Sequence, residues 1–134
     1  MTAFPYEAET DGIIVRVQPR WMAEQSSPSN ERHIWSYKIE IENQTAIDWT
    51  LLRRHWKIID ANGQIQTVDG EGVVGQTPEL EPGGVFRYTS GVPLHAPSGI
   101  MSGHYELENL AGQRMQAKVP TFSLDSPYDK RQPS

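Results

Sequence analysis

Residues 69–83 read DGEGVVGQTPELEPG, and the fold turns on whether the glycines in this stretch serve a nucleotide or a backbone. Gly70-Glu71-Gly72-Val73-Val74-Gly75 fits G-x-G-x-x-G. That pattern binds a dinucleotide only where it joins a strand to the N-terminus of a helix, with the pyrophosphate on the helix end. A strand can precede Gly70, but no helix can follow Gly75. Pro78 and Pro82 lie close behind it and Gly83-Gly84 comes next, so the backbone donors and dihedrals of even three helical turns are missing. A phosphate-binding loop of the Walker type is also excluded, because no Lys-Ser or Lys-Thr follows the last glycine. The stretch therefore reads as turns, and Leu80-Glu81-Pro82-Gly83 as a strong turn signal of its own.

Working outward, both flanks have period two. Leu51 to Ile59 is a strand with Leu52, Arg54, Trp56 and Ile58 on one face and Leu51, Arg53, His55, Lys57 and Ile59 on the other. Asp60-Ala61-Asn62-Gly63 is a hairpin turn in which Asn-Gly supplies positive φ. Gln64 to Asp69 returns antiparallel, and pairing Asp60 with Gly63 places Arg53 opposite Gly70 and Arg54 opposite Asp69. Upstream, Gly12–Arg20 and Ile34–Glu42 alternate, with Trp35, Tyr37, Ile39 and Ile41 sharing an apolar face and Glu40 and Glu42 a solvated one. Downstream, Val85–Thr89, Gly99–Glu108 and Arg114–Leu124 are strands, the last two joined by a turn at Asn109-Leu110-Ala111-Gly112. Residues 1–11 read as a loose arm and residues 125–134 as a mobile tail, leaving a single domain within residues 1–124. About seven strands and no helical periodicity predict an all-β chain, a two-sheet antiparallel sandwich.

A chain of 134 residues suffices for one core without staples. It has no cysteine, so disulfides, thiolate metal sites and cysteine nucleophiles are excluded. The net charge of -5 disfavours nucleic acid and anionic membrane as partners, since the overall field repels phosphate. The N-terminus MTAFPYEAET lacks the basic and apolar regions of a signal peptide, and no apolar run is long enough to span a bilayer, so a cytoplasmic location is expected. His33, His55, His95 and His104 are not at metal-ligating spacings, so neither a metal nor another cofactor is expected. No nucleophile elbow and no aromatic-basic interleaving of an RNA-binding sheet is present.

Arg53-Arg54-His55 is the densest basic cluster, and the hairpin places it against the glycine stretch. The structural reading is that Arg54 pairs with Asp69 or Glu71 and pins the loop. The functional reading is a site for an anion or an acidic partner segment, built from Arg53, Arg54, His55, Gly70, Glu71, Gly72, Val73, Val74 and Gly75. An enzymatic alternative, hydrolysis of a nucleotide or polyphosphate, has only His55 and Glu71 as a nearby acid/base pair. A free sheet edge would permit a homodimer.

Several segments carry a family resemblance: Tyr37-Lys38-Ile39-Glu40-Ile41-Glu42-Asn43, Leu52 to Asp60, Gly70 to Pro78, Tyr88-Thr89-Ser90-Gly91, Gly99 to Tyr105, and Val119 to Leu124. In this order the chain resembles the ApaG family over residues 12–124. The departures, Met115 in place of an aromatic residue and Lys57 in place of an apolar one, touch packing only. The resemblance implies a fibronectin type III-like, immunoglobulin-related sandwich. It also implies protein–protein interaction, because related domains are attached to an F-box protein and to a polymerase-δ-interacting protein, and it brings a link to cobalt resistance and magnesium efflux. It transfers no catalytic residue. The leading expectation is a non-enzymatic binding module with a protein partner.

Overall fold

The computed structural model of the chain describes residues 4–128. Nine strands run in the order β1 (Tyr6–Thr10), β2 (Ile13–Trp21), β3 (His33–Asn43), β4 (Trp49–Asp60), β5 (Ile65–Glu71), β6 (Glu79–Leu80), β7 (Val85–Leu94), β8 (Gly99–Glu108) and β9 (Arg114–Leu124). One sheet has the order β1-β2-β3-β7, the other β5-β4-β8-β9 with β6 paired to β4, and every pairing is antiparallel. The all-β two-sheet sandwich expected from period-two patterning is the fold observed.

The core is the set of inward side chains that the alternation predicts. Ile13, Val15, Val17, Trp35, Ile39 and Ile41 from one sheet meet Trp56, Ile58, Met101, Tyr105, Leu107 and Phe122 from the other, all of them buried. Trp56 is its aromatic centre, with edge-on contacts to Tyr37, Tyr105 and Phe122 at centroid distances of 5.5, 6.1 and 6.3 Å.

Four expectations are corrected. Residues 6–10 are not a loose arm: they form β1, whose Tyr6 ring packs on Phe122. Residues 125–128 are tied to the body, since Trp35 Nε1 donates to Asp125 O, Ser126 Oγ donates to Pro97 O and the Tyr128 ring lies tilted against Trp21 and His33, while the rest of the expected tail lies outside the described residues. The turn after β4 has three residues and not two. Asp60 N–H donates to Gln64 O, Gly63 at φ 80° closes the loop, and the Asp60 carboxylate accepts from the N–H groups of Asn62 and Gln64. This is a type I turn followed by a left-handed glycine, and Asp60 selects it by bonding its own loop. The pairing moves by one, to Arg53–Glu71, Arg54–Gly70 and His55–Asp69. Finally, β4 does not keep one face throughout. Its register with β8 shifts between Leu51 and Arg53, so Leu51 enters the core from the face expected to be outward.

Glu40 is also not a solvated surface carboxylate. It is 9% exposed, held by Arg16 and Arg87 at 2.7 Å each, while Arg16 reaches Glu42 at 2.9 Å.

Candidate functional site

The strand β4 runs between β5 and β8, so consecutive residues 53–55 alternate between the outer face and the space between the sheets. Residues 53–55 lie beyond the bulge and keep the faces that alternation with Trp56 and Ile58 predicts. Arg53 and His55 are outward; Arg54 is inward and half-buried.

On the outer face, His55 Nδ1 hydrogen-bonds the Asp69 carboxylate across the β4–β5 pair. The His55 ring stacks on His104 of β8 at 5.0 Å between centroids and 27° between planes. The hydrogen bond from His55, foremost, holds the Asp69 carboxyl below the usual carboxylate range. Arg53 and Glu71 approach only to 4.0 Å and are both exposed, a pair worth little. Arg53, Arg54, His55, Asp69, His104 and Glu106 surround a depression of about 40 Å3. Among the described residues no three histidine, aspartate or glutamate side chains gather as a metal site. His104 was not among the residues expected here. It meets His55 because β4 and β8 are neighbours in space though not in sequence, a pairing that spacing along the chain does not reveal.

Arg54 does pin the loop, but through main-chain carbonyls. Its Nη1 donates to Glu71 O at 3.1 Å and Gly72 O at 2.9 Å. The guanidinium lies over Gly70, where a Cβ would stand 2.7 Å from Cζ and both Nη atoms, so a larger residue there would displace it. The same cation faces three tyrosines. Burial raises the phenol pKa of Tyr37, Tyr88 and Tyr105, and Arg54 offsets part of that rise. The hydroxyls of Tyr88 and Tyr105 bond each other at 2.5 Å.

Residues 72–78 are an excursion from the edge of β4. Gly72 N–H bonds Leu52 O at 2.6 Å, and the chain rejoins β4 where Leu51 N–H bonds Pro78 O at 2.9 Å. Between them, Val73 and Gln76 exchange two hydrogen bonds of 2.8 and 2.9 Å around Val74 and Gly75, both at positive φ (43° and 79°). This is a type I′ turn. Val73 is fully buried and anchors it; Val74 is 55% exposed at its tip. The N–H groups of Gly72, Val73 and Gln76 are thus bonded within the fold and do not converge on an anion. The chain crosses to the other sheet only after β6, at Glu81–Gly84, where Gly83 N–H bonds Asn43 O and Asn43 N–H bonds Gly84 O.

Comparison with known proteins agrees with this architecture. The ApaG domain family matches residues 23–109. Protein ApaG of Methylorubrum extorquens is 48% identical over 126 residues, covering 94% of this chain and 97% of that one. Protein ApaG of Azorhizobium caulinodans is 49% identical over the same span. A solved Bordetella pertussis protein assigned as ApaA superposes with a TM-score of 0.84 at 37% identity, covering 93% of this chain and 100% of that one. The C-terminal domain of Wzt shares the fold alone, with a TM-score of 0.57 at 10% identity. With nearly full-length relatives at this identity and the same sandwich in a solved relative, the chain belongs to the ApaG domain family.

Proposed function

We propose that this protein is a non-enzymatic binding module that presents the Val73–Gln76 turn, with Arg53 and His55 beside it, to a protein partner. The observation that carries the reading is Val74. A β-branched apolar side chain is held in solvent at φ 43°, a strained conformation, on a turn rooted in the core by Val73. Strain of this kind persists where the surrounding fold over-determines it, and an exposed apolar tip on a rigid root suits recognition. The nucleotide alternative has less support. Three loop N–H groups are already bonded, and Asp69 and Glu71 place negative charge at the loop. The cobalt and magnesium link carried by the family resemblance would then act through a partner.

Affinity capture from a native lysate, with wild type and a Val74→Gly/Arg53→Ala variant as baits, tests this. The expected result is a specific partner retained by wild type and lost by the variant. Turnover of ATP or diadenosine tetraphosphate by wild type, abolished in His55→Ala, would replace the proposal with the hydrolase reading.

A further inference from the structure

The two sides of the sandwich differ. On one side β1 is sewn to β9: the Tyr6 hydroxyl bonds Ser123 Oγ at 3.2 Å, and Thr10 Oγ1 accepts from Lys118 N–H at 3.0 Å. On the other side β5 and β7 are the end strands of their sheets. A groove of about 220 Å3 opens between them, floored by Trp56, Ile58 and Met101 and walled by Val68 and Val92. Trp56, Ile58, Met101 and Val92 are all at most 5% exposed, so the groove reaches the core itself.

Arg54 stands at one end of this groove. It is half-buried and makes no ion pair with an aspartate or glutamate side chain among the described residues; its side-chain hydrogen bonds go to two main-chain carbonyls. The tyrosines it faces are held protonated by burial and supply no counter-charge. Arginines removed from water normally have a carboxylate partner. Beside this cation, β5 offers seven residues without proline, exposed almost throughout and carrying Ile65 and Val68 at 61% and 38% exposure. Such an edge is a template for one more strand. The facing edge strand β7 carries Pro93, which lacks the donor a ladder needs and directs pairing to β5.

We propose that an extended acidic segment of a partner protein adds to the edge of β5 and fills this groove. It places a carboxylate on Arg54 and, two residues away on the same face, a large apolar side chain over Trp56 and Ile58. The spacing follows from the ladder. Gly70, Val68 and Gln66 lie opposite Arg54, Trp56 and Ile58, so inward positions of an added strand recur every second residue. The inference rests on the binding-module reading but concerns a different surface from the Val74 turn.

The test is selection of phage-displayed linear decapeptides on the intact protein, followed by titration of the enriched peptides against 15N-labelled wild type, Arg54→Gln, Gln66→Trp and Val74→Gly. Gln66 is exposed, so its replacement fills the groove while the core is untouched. The expected peptides carry Asp or Glu two positions from a large apolar residue and shift the amides of residues 65–71 and 90–92. Their affinity falls about tenfold or more in Arg54→Gln, the scale of one charge-assisted hydrogen bond, and in Gln66→Trp, and is unchanged in Val74→Gly. Enriched peptides without acidic residues, binding that survives Gln66→Trp, or no enrichment overturns the proposal. So does self-association in ultracentrifugation that Gln66→Trp abolishes, which assigns the edge to a second copy. Shifts confined to residues 73–76 overturn the groove while sparing the binding-module reading.

Discussion

At the scale of single residues, strain and close approach make the sharpest predictions. Val74 is the only β-branched residue at positive φ among the described residues. Val74→Asn relieves a left-handed penalty of about 1 kcal/mol and should raise the unfolding free energy from denaturant titration by that amount; a fall in stability would mean that the turn gains from the valine in a way its exposure does not show. Gly70→Ala acts in the opposite sense. Its methyl meets the guanidinium at the movable end of Arg54, so Arg54 swings aside and gives up its two carbonyl bonds, at about 1 kcal/mol. Urea unfolding measures the loss, and an unchanged midpoint would show Arg54 to be dispensable. His33 is 4% exposed, its Nδ1 has no hydrogen-bond partner among the described residues, and burial lowers its pKa. The folded state therefore binds fewer protons than the unfolded one below the ordinary histidine value of about 6.5. Its contribution is fully present above that pH and is lost as pH falls through the folded value. Midpoints measured from pH 7 to 5 should fall for wild type and fall less for His33→Gln.

At the scale of elements, the connection from β3 to β4 and the crossover after β6 depend on one buried side chain. Asn43 is wholly buried. Its Nδ2 donates to Ile47 O and Leu80 O, and its Oδ1 accepts from the Thr45 N–H and hydroxyl. With its own main chain bonded to Gly83 and Gly84, it ties the end of β3 to both β6 and the crossing loop. Asn43→Ala leaves several buried groups unpaired, and a loss of about 3 kcal/mol is expected. Thermal unfolding measures it; a loss as small as an ordinary surface substitution would show that water takes over these bonds. Period two placed the strands correctly over most of their length, because a half-buried strand must alternate. It failed at Leu51, where the bulge against β8 reverses the faces, and at the hairpin after β4, where the Asp60 carboxylate selects the longer loop. Neither device has a signature in the alternation itself.

At the scale of the whole molecule, β1 closes one side of the sandwich and, among the described residues, nothing equivalent closes the other. A chain beginning at Asp11 loses the Tyr6 ring from Phe122 and uncovers the edge of β2. Burial of one such ring is worth about 2 kcal/mol. The truncated chain should therefore unfold at lower denaturant and self-associate through the freed edge; light scattering as low as that of wild type would show that β2 is protected without β1.

The amino-acid sequence by itself determined the all-β class, the identity of most core residues and the exclusion of a Rossmann or Walker loop. These follow from side-chain period and from where proline forbids a helix, and both are local. Only the tertiary structure decided what the basic cluster does. Arg54, on the inward face that the alternation predicts, bonds carbonyls and not Asp69, and His55 takes Asp69 and stacks on His104, because a one-residue change of register against β5 sets Asp69 opposite His55 and β8 brings His104 alongside. Those are outcomes of pairing between distant segments, and a strand that slips by one residue exchanges everything it presents to the core for everything it presents to solvent.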